Sequence, residues 1–254
     1  MGGRTVVVDV ADELARRVAS GRYRPGMLLP SVRQVADEFG VNRATAQLIL
    51  GRVESYGFAD AQRGKGFAVR DVHSEGGLGV FHRVLRLSMQ EPRTALAMFG
   101  EIVEAEREIA LSVLLEYAEG TVGVATRVAI DELEIIARQD VPDQRRFLET
   151  ELLLLRSLLT ARGRGMQRAI LNSIGEMVLA TPEAVSAYCT AAAPDLHVLV
   201  WRALAAVVET GGEPSVAQLA LFEDIFGAYH EGVVRRFGEI VGAAPDSASF
   251  ELGA

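Results

Sequence analysis

Apolar side chains recur at spacings of three and four through most of the 254-residue chain. The clearest stripe lies near the C-terminus, where Leu219, Phe222, Phe226, Tyr229, Val233, Phe237 and Ile240 predict a helix over 214–241 with one buried face. The same period predicts helices over 78–90, 93–118, 122–139, 143–161, 165–180, 182–192 and 194–210, with Pro92 and Gly120 marking stops. No alternating strand pattern interrupts them, so residues 80–242 read as an all-helical bundle. Upstream, the polar and glycine-rich Asp71–Gly77 lacks any period and predicts a linker over 73–79. Small residues from Gly242 onward predict a flexible tail over 243–254.

Residues 1–72 follow a different grammar. Pro25-Gly26 signals a turn, and Ser31 with Gln34 is a capping-box pattern that opens a short helix. Gly40 closes that helix, Asn42 caps the next, and Gly57 ends it. Two helices joined by so short a turn predict a helix-turn-helix. Leu48, Ile49 or Leu50, Val53 and Tyr56 are expected to face Val35, Ala36 and Phe39 in a small core. The opposite side carries Asn42, Arg43, Thr45 and Gln47 near the N-terminus of the second helix, the part that enters the major groove in such units. Two short strands then flank Arg63-Gly64-Lys65-Gly66, a basic wing tip whose glycines let backbone approach phosphate closely. The fold class expected is mostly α: a winged helix-turn-helix with a small β-wing, followed by an all-α bundle.

Charge divides along the same line. Residues 1–72 hold eleven Arg and Lys against eight Asp and Glu, a net of +3; the remainder carries −11, giving the overall −8. A basic module on an acidic body suits sequence-specific DNA binding, because only the reading domain must neutralise phosphate. No apolar run approaches the length needed to span a bilayer, and the N-terminus shows no secretory signal pattern, so no membrane partner is expected. Cys189 is the only cysteine, which excludes an intrachain disulfide and fits a reducing cytoplasm.

The run Pro25-Gly26, Leu29-Pro30-Ser31, Arg33-Gln34-Val35-Ala36, Gly40-Val41-Asn42-Arg43-Ala44-Thr45, Leu48, Leu50 and Gly57 resembles the winged helix of the GntR superfamily. The helical remainder resembles the effector domain of its FadR subfamily, most closely at Glu151–Leu158 and Ala169–Asn172. The resemblance implies that Arg33, Arg43, Thr45, Arg63 and Gly64 touch operator DNA. Fatty-acid-responsive members usually carry Arg at the position of Gln47. Gln pairs with adenine where Arg pairs with guanine, so the operator is expected to differ at that base.

The same resemblance bears on the effector. Lys65 is the only lysine and lies in the wing, which excludes the aminotransferase-fused branch and its Schiff-base lysine. Metal-containing members have an Asp followed four residues later by His; the counterparts here are Glu151 and Leu155, and Leu cannot ligate. His73, His82, His197 and His230 are read as structural or surface residues, and no metal or other cofactor is expected. An effector-pairing Arg of related regulators is replaced by Glu104. A long acyl chain, free or as its coenzyme A thioester, is the effector class most consistent with these losses. Phe99, Leu155, Trp201, Phe226 and Tyr229 are candidate contacts, together with Glu104. Arg107, Arg156 and Arg202 are candidates for its head group.

The function expected is a ligand-responsive repressor that binds double-stranded operator DNA as a homodimer, since one winged helix reads one half-site. A small carboxylate or sugar-derived effector, or ligand-independent DNA binding, are the alternatives. Glu101, Glu104 and Glu108 form an acidic stripe that suits a solvated helix face better than enzyme chemistry.

Overall fold

A computed structural model describes residues 3–117, 123–210 and 215–243. The elements in chain order are α1 (Gly3–Ala19), α2 (Val32–Phe39), α3 (Arg43–Ser55), β1 (Ala59–Gln62), β2 (Gly66–Val69), α4 (Leu78–Ser88) and α5 (Pro92–Tyr117). They continue with α6 (Val124–Ala137), α7 (Gln144–Ala161), α8 (Gly165–Leu179), α9 (Pro182–Ala191), α10 (Pro194–Thr210) and α11 (Val216–Val241). The helix ends predicted at 118, 122 and 214, and the tail beyond residue 243, lie outside the described residues.

The chain divides into two compact units, Met1–Ala95 and Leu96–Ala254. In the first, the predicted caps form as hydrogen bonds. Ser31 Oγ accepts from Gln34 N at 3.3 Å while Ser31 N donates to Gln34 Oε1 at 2.8 Å. Asn42 Oδ1 accepts from Thr45 N at 2.8 Å, and Gly40 closes α2 with φ 64°. Such caps contribute about 1 kcal/mol each. β1 and β2 pair antiparallel, with Ala59 opposite Val69 and Gln62 opposite Gly66. Leu28 adds a bridge to Ala68, so the wing is braced from the segment before α2.

Three features of this unit depart from the expectation. The helix α1 was not anticipated: Ala11, Leu14, Ala15 and Val18 form its buried stripe against α3. Arg17 ties it to α2, donating to Glu13 at 2.6 Å and to Glu38 at 2.7 Å. Next, α4 belongs to this unit rather than to the helical bundle. It packs on α1, with Arg86 donating to Asp12 at 3.0 Å and the Arg83 guanidinium 3.5 Å from the Tyr56 ring centroid. Finally, Leu48 is 64% exposed and takes no part in the core. The buried stripe of α3 is Ala46, Ile49, Leu50 and Val53. Leu48 lies off that stripe, about 100° per residue around the helix.

The second unit is wholly helical across its described residues. Pairings of α6 with α7 and α10, α7 with α8 and α9, and α9 with α8 and α11 enclose its core. Phe99 and Phe237 stack with centroids 4.0 Å apart, and both are fully buried. Each such side chain stabilises the fold by roughly 1.5–3 kcal/mol through burial. No single described helix is long and apolar enough to cross a membrane.

Candidate functional site

In the first unit an open groove of about 990 Å³ runs between the N-terminal ends of α2 and α3 and the wing. Arg33, Arg43, Gln47, Arg63 and Lys65 all line it. Arg33 and Asp37 are 3.7 Å apart with both side chains exposed, a pairing worth little in water and readily exchanged for phosphate. Gly64 sits at the wing tip with φ 75°, a conformation that L side chains rarely adopt, and thereby turns Arg63 and Lys65 back across the hairpin. Lys65 N donates to Gln62 O at 3.0 Å and closes that turn. Asn42 commits its side-chain oxygen to the α3 cap, and Thr45 supplies the backbone N–H that the cap satisfies. The cap therefore fixes the first turn of α3 beside exposed Arg43, Gln47 and Leu48. Helix N-termini with adjacent Arg and Gln are suited to phosphate positioning and base readout respectively.

In the second unit a cavity of about 120 Å³ opens within the bundle. Its wall is mainly apolar, with Leu152, Leu155, Ile174, Trp201, Leu204 and Phe226 contributing to it. Two carboxylate–imidazole pairs interrupt that surface. Glu106 faces His230 Nε2 at 2.9 Å, and Glu151 faces His197 Nδ1 at 2.9 Å. Both imidazoles and both carboxylates are on the wall.

The two pairs are built differently. His230 Nδ1 lies 2.7 Å from the Phe226 carbonyl oxygen while Nε2 meets the Glu106 carboxylate, so both ring nitrogens face acceptors. Tyr188 donates to the same Glu106 oxygen at 3.4 Å. Burial, then the neighbouring Glu106 charge, pushes the Tyr188 phenol well up and keeps it a donor. Around His197, Trp201 Nε1 donates to the Glu151 oxygen at 3.1 Å, which fixes that carboxylate in place. Burial lowers the His197 pKa, but the charge and hydrogen bond of Glu151 outweigh it and the net direction is up. His197 Nε2 is buried and has no hydrogen-bond partner.

The effector candidates divide on this geometry. Leu155, Trp201, Phe226 and Tyr229 line the cavity. Phe99 does not: it is spent on the Phe237 stack. Glu104 and Arg107 bond to each other at 2.5 Å on a largely exposed face of α5. Arg156 is also off the cavity wall, its guanidinium turned toward Gly175 of α8. Arg202 is on the surface, bonded to Asp131 and Glu134 at 2.6 and 2.5 Å. None of the three arginines proposed for a head group is on the wall. Conversely, His197 and His230, for which the sequence favours a structural or surface role over a common pocket, share one cavity. Their signal was legible in their partners. Glu151 sits among Leu148, Leu152 and Leu155, and Glu106 among Ile102, Val103, Ile109 and Ala110, which places a carboxylate on each buried stripe. A charged residue on a core stripe demands a partner.

Among the described residues no group of three or more His, Cys, Asp and Glu could hold a metal ion. Cys189 is buried and its thiol is pushed up to about 12, first by burial and then by Glu151.

Residues 7–69 match the family described as bacterial regulatory proteins, gntR family. The chain is similar to the HTH-type transcriptional regulator Mce2R of Mycobacterium tuberculosis, 33% identical over 82 residues that cover 32% of this chain and 34% of that protein. It is also similar to the fatty acid metabolism regulator protein of Shewanella sp. (strain ANA-3), 23% identical over 179 residues, 67% of this chain and 70% of that protein. The solved structure of Streptococcus agalactiae GntR covers 94% of this chain and 100% of its own at 13% identity, with a TM-score of 0.37. The match to Mce2R thus spans about a third of that relative's length.

Proposed function

We propose that the chain, whose residues 7–69 match the gntR family, is a DNA-binding transcriptional regulator whose DNA binding is controlled by an apolar effector. The effector occupies the cavity of the helical unit. The observation that carries this reading is the cavity itself: an apolar pocket inside a bundle with two polar pairs on its wall, smaller at about 120 Å³ than most ligand pockets. Its wall suits an apolar body that fills it and extends through its mouth. A small carboxylate or sugar is less suited, since most of the lining offers such a molecule no hydrogen bonds.

On DNA, a homodimer places two α3 helices on a pseudo-palindromic operator, each reading one half-site. Arg43 and Gln47 read bases; Arg33, Arg63 and Lys65 bind phosphate or the minor groove beside them. Effector binding lowers operator affinity by favouring an arrangement of the dimer that spaces the reading helices wrongly. The shift is bounded by the effector's differential affinity for the two arrangements.

The test is selection of binding sites from random-sequence duplexes by the full chain, followed by operator-binding anisotropy with and without a panel of long-chain lipids. The expected result is an enriched inverted repeat that one lipid class releases. An enriched repeat that no apolar molecule in the panel releases would overturn the effector assignment.

A further inference from the structure

Cavity charge sets what sort of head group the effector can carry. The wall holds two carboxylates, Glu106 and Glu151, each facing one imidazole, and no arginine or lysine among the described residues. Each imidazole is already matched to one carboxylate, so a carboxylate brought in would be a third acid group facing two bases.

The way in has the same character. Leu196 of α10 and Ile225 of α11 both line the cavity and are half-exposed, at 49% and 52%, so they mark its mouth. Leu199 and Leu221, exposed on the same two helices, extend that apolar rim. From Pro194 to Val234 the only Arg or Lys is Arg202, already bonded to Asp131 and Glu134, whereas Asp195, Glu223 and Asp224 are exposed there. A nucleotide-like head group with several phosphates would meet carboxylates and leucines on the α10 and α11 side of this rim, and the Arg107 guanidinium, which lies beside Gly227 of α11, is already bonded to Glu104.

One polar atom on the wall is unspent. The His197 side chain is only 9% exposed, its Nδ1 is held by Glu151, and Nε2 has no partner. A buried nitrogen without a hydrogen bond is costly, and one ligand oxygen would satisfy it.

We propose that the effector is an uncharged amphiphile, an alcohol, ketone or ester, whose oxygen accepts a hydrogen bond from His197 Nε2 while its apolar part runs along the wall and out toward the Leu196–Ile225 mouth. This rests on the cavity being the effector site. It excludes both the free fatty acid and the coenzyme A thioester as the preferred form of the ligand. The raised pKa of His197 supports the donor role, because it favours the ring that carries a proton on both nitrogens.

The experiment compares ligands of one chain length by isothermal titration calorimetry on the full chain at neutral pH: decanol, methyl decanoate, decanoate and decanoyl-coenzyme A. The expected order is the alcohol and the ester ahead of the acid and the thioester by roughly tenfold or more. Binding led by decanoate or decanoyl-coenzyme A overturns the uncharged-ligand proposal but leaves the cavity as the effector site. If the series shows no binding at octyl, decyl or hexadecyl length, the cavity reading itself fails. Two variants locate the head group. His197→Phe in the Glu151→Gln background, which leaves no buried carboxylate unpaired, should weaken the alcohol relative to Glu151→Gln alone but hardly affect decane. Leu204→Trp, which fills the cavity, should weaken both. Equal loss of alcohol and decane on adding His197→Phe would remove His197 as the contact.

Discussion

Glu151 and His197 face each other at 2.9 Å on the cavity wall, one from α7 and the other from α10. Both side chains are largely buried, at 14% and 9% exposure, so each charge is tolerable only because of the other. The pair also makes a stability prediction. His197 is raised above its ordinary 6.5 in the folded chain, since Glu151 overcomes the opposing effect of burial. A raised folded-state pKa contributes stability that is fully present below the unfolded value and is lost as pH rises through the folded one. Urea unfolding followed from below the ordinary imidazole value of 6.5 upward should therefore show the wild type losing stability relative to Glu151→Gln as pH rises. A difference that stays constant as pH rises would show that the pair does not titrate as the geometry requires.

Gly57 links the reading domain to α4. Its φ is 83°, and a Cβ built there would come within 2.8 Å of Val80 Cγ2. Gly57→Ala is expected to cost about 1–2 kcal/mol from the backbone alone, with a further cost from the contact. The two parts separate in a double mutant: adding Val80→Ala should recover the contact part and leave the backbone part. If Val80→Ala recovers nothing, α4 does not dock on the domain in solution as it does in the structure. Denaturant midpoints read out both variants.

Elements whose ends are encoded by local chemistry were legible in the chain. Ser31, Gly40 and Asn42 make their contacts within three or four residues, so cap and turn patterns found α2 and α3 to within a residue. Long apolar stripes did the same for α7 and for the C-terminal end of α11. By contrast α1 escaped notice because its buried face is Ala11, Leu14, Ala15 and Val18, half of it alanine, with no cap signal before it. Leu48 was misplaced because a run of three apolar residues, Leu48-Ile49-Leu50, fits several helical phases, and only tertiary packing picks one. For the cavity pairs, a carboxylate on each core stripe is legible, but which residue partners it is not. Glu106 and His230 are 124 positions apart, and the contact exists only once α5 and α11 have packed.

Arg43 is exposed at the start of α3 on the groove shared with the wing. Nothing in the fold depends on it, so Arg43→Ala should leave the denaturation midpoint within about 0.5 kcal/mol of wild type. It should nevertheless abolish specific operator binding, because one bidentate base contact carries about 1–3 kcal/mol of discrimination in each half-site. Footprinting on the selected operator, with thermal melting alongside, distinguishes this from unfolding. A variant that footprints normally would remove α3 as the reading helix.

Gln47 and Leu48 adjoin on the exposed side of α3, and together they predict two adjacent features of the half-site. Gln pairs in bidentate fashion with adenine N6 and N7, whereas an exposed Leu has no polar atom to offer and is suited to the thymine methyl. Gln47→Arg should therefore move the preferred base at one position from adenine to guanine, with a discrimination of about 1–3 kcal/mol. Leu48 is read by removing the methyl rather than the residue. Replacing each thymine of the operator in turn by deoxyuridine should identify one position per half-site where the wild type loses about 0.8 kcal/mol, roughly fourfold in affinity. Leu48→Ala should lose that sensitivity without loss of stability, since the side chain is 64% exposed. If no deoxyuridine position distinguishes the two proteins, Leu48 does not touch a base, and the specificity of the helix rests on Arg43 and Gln47.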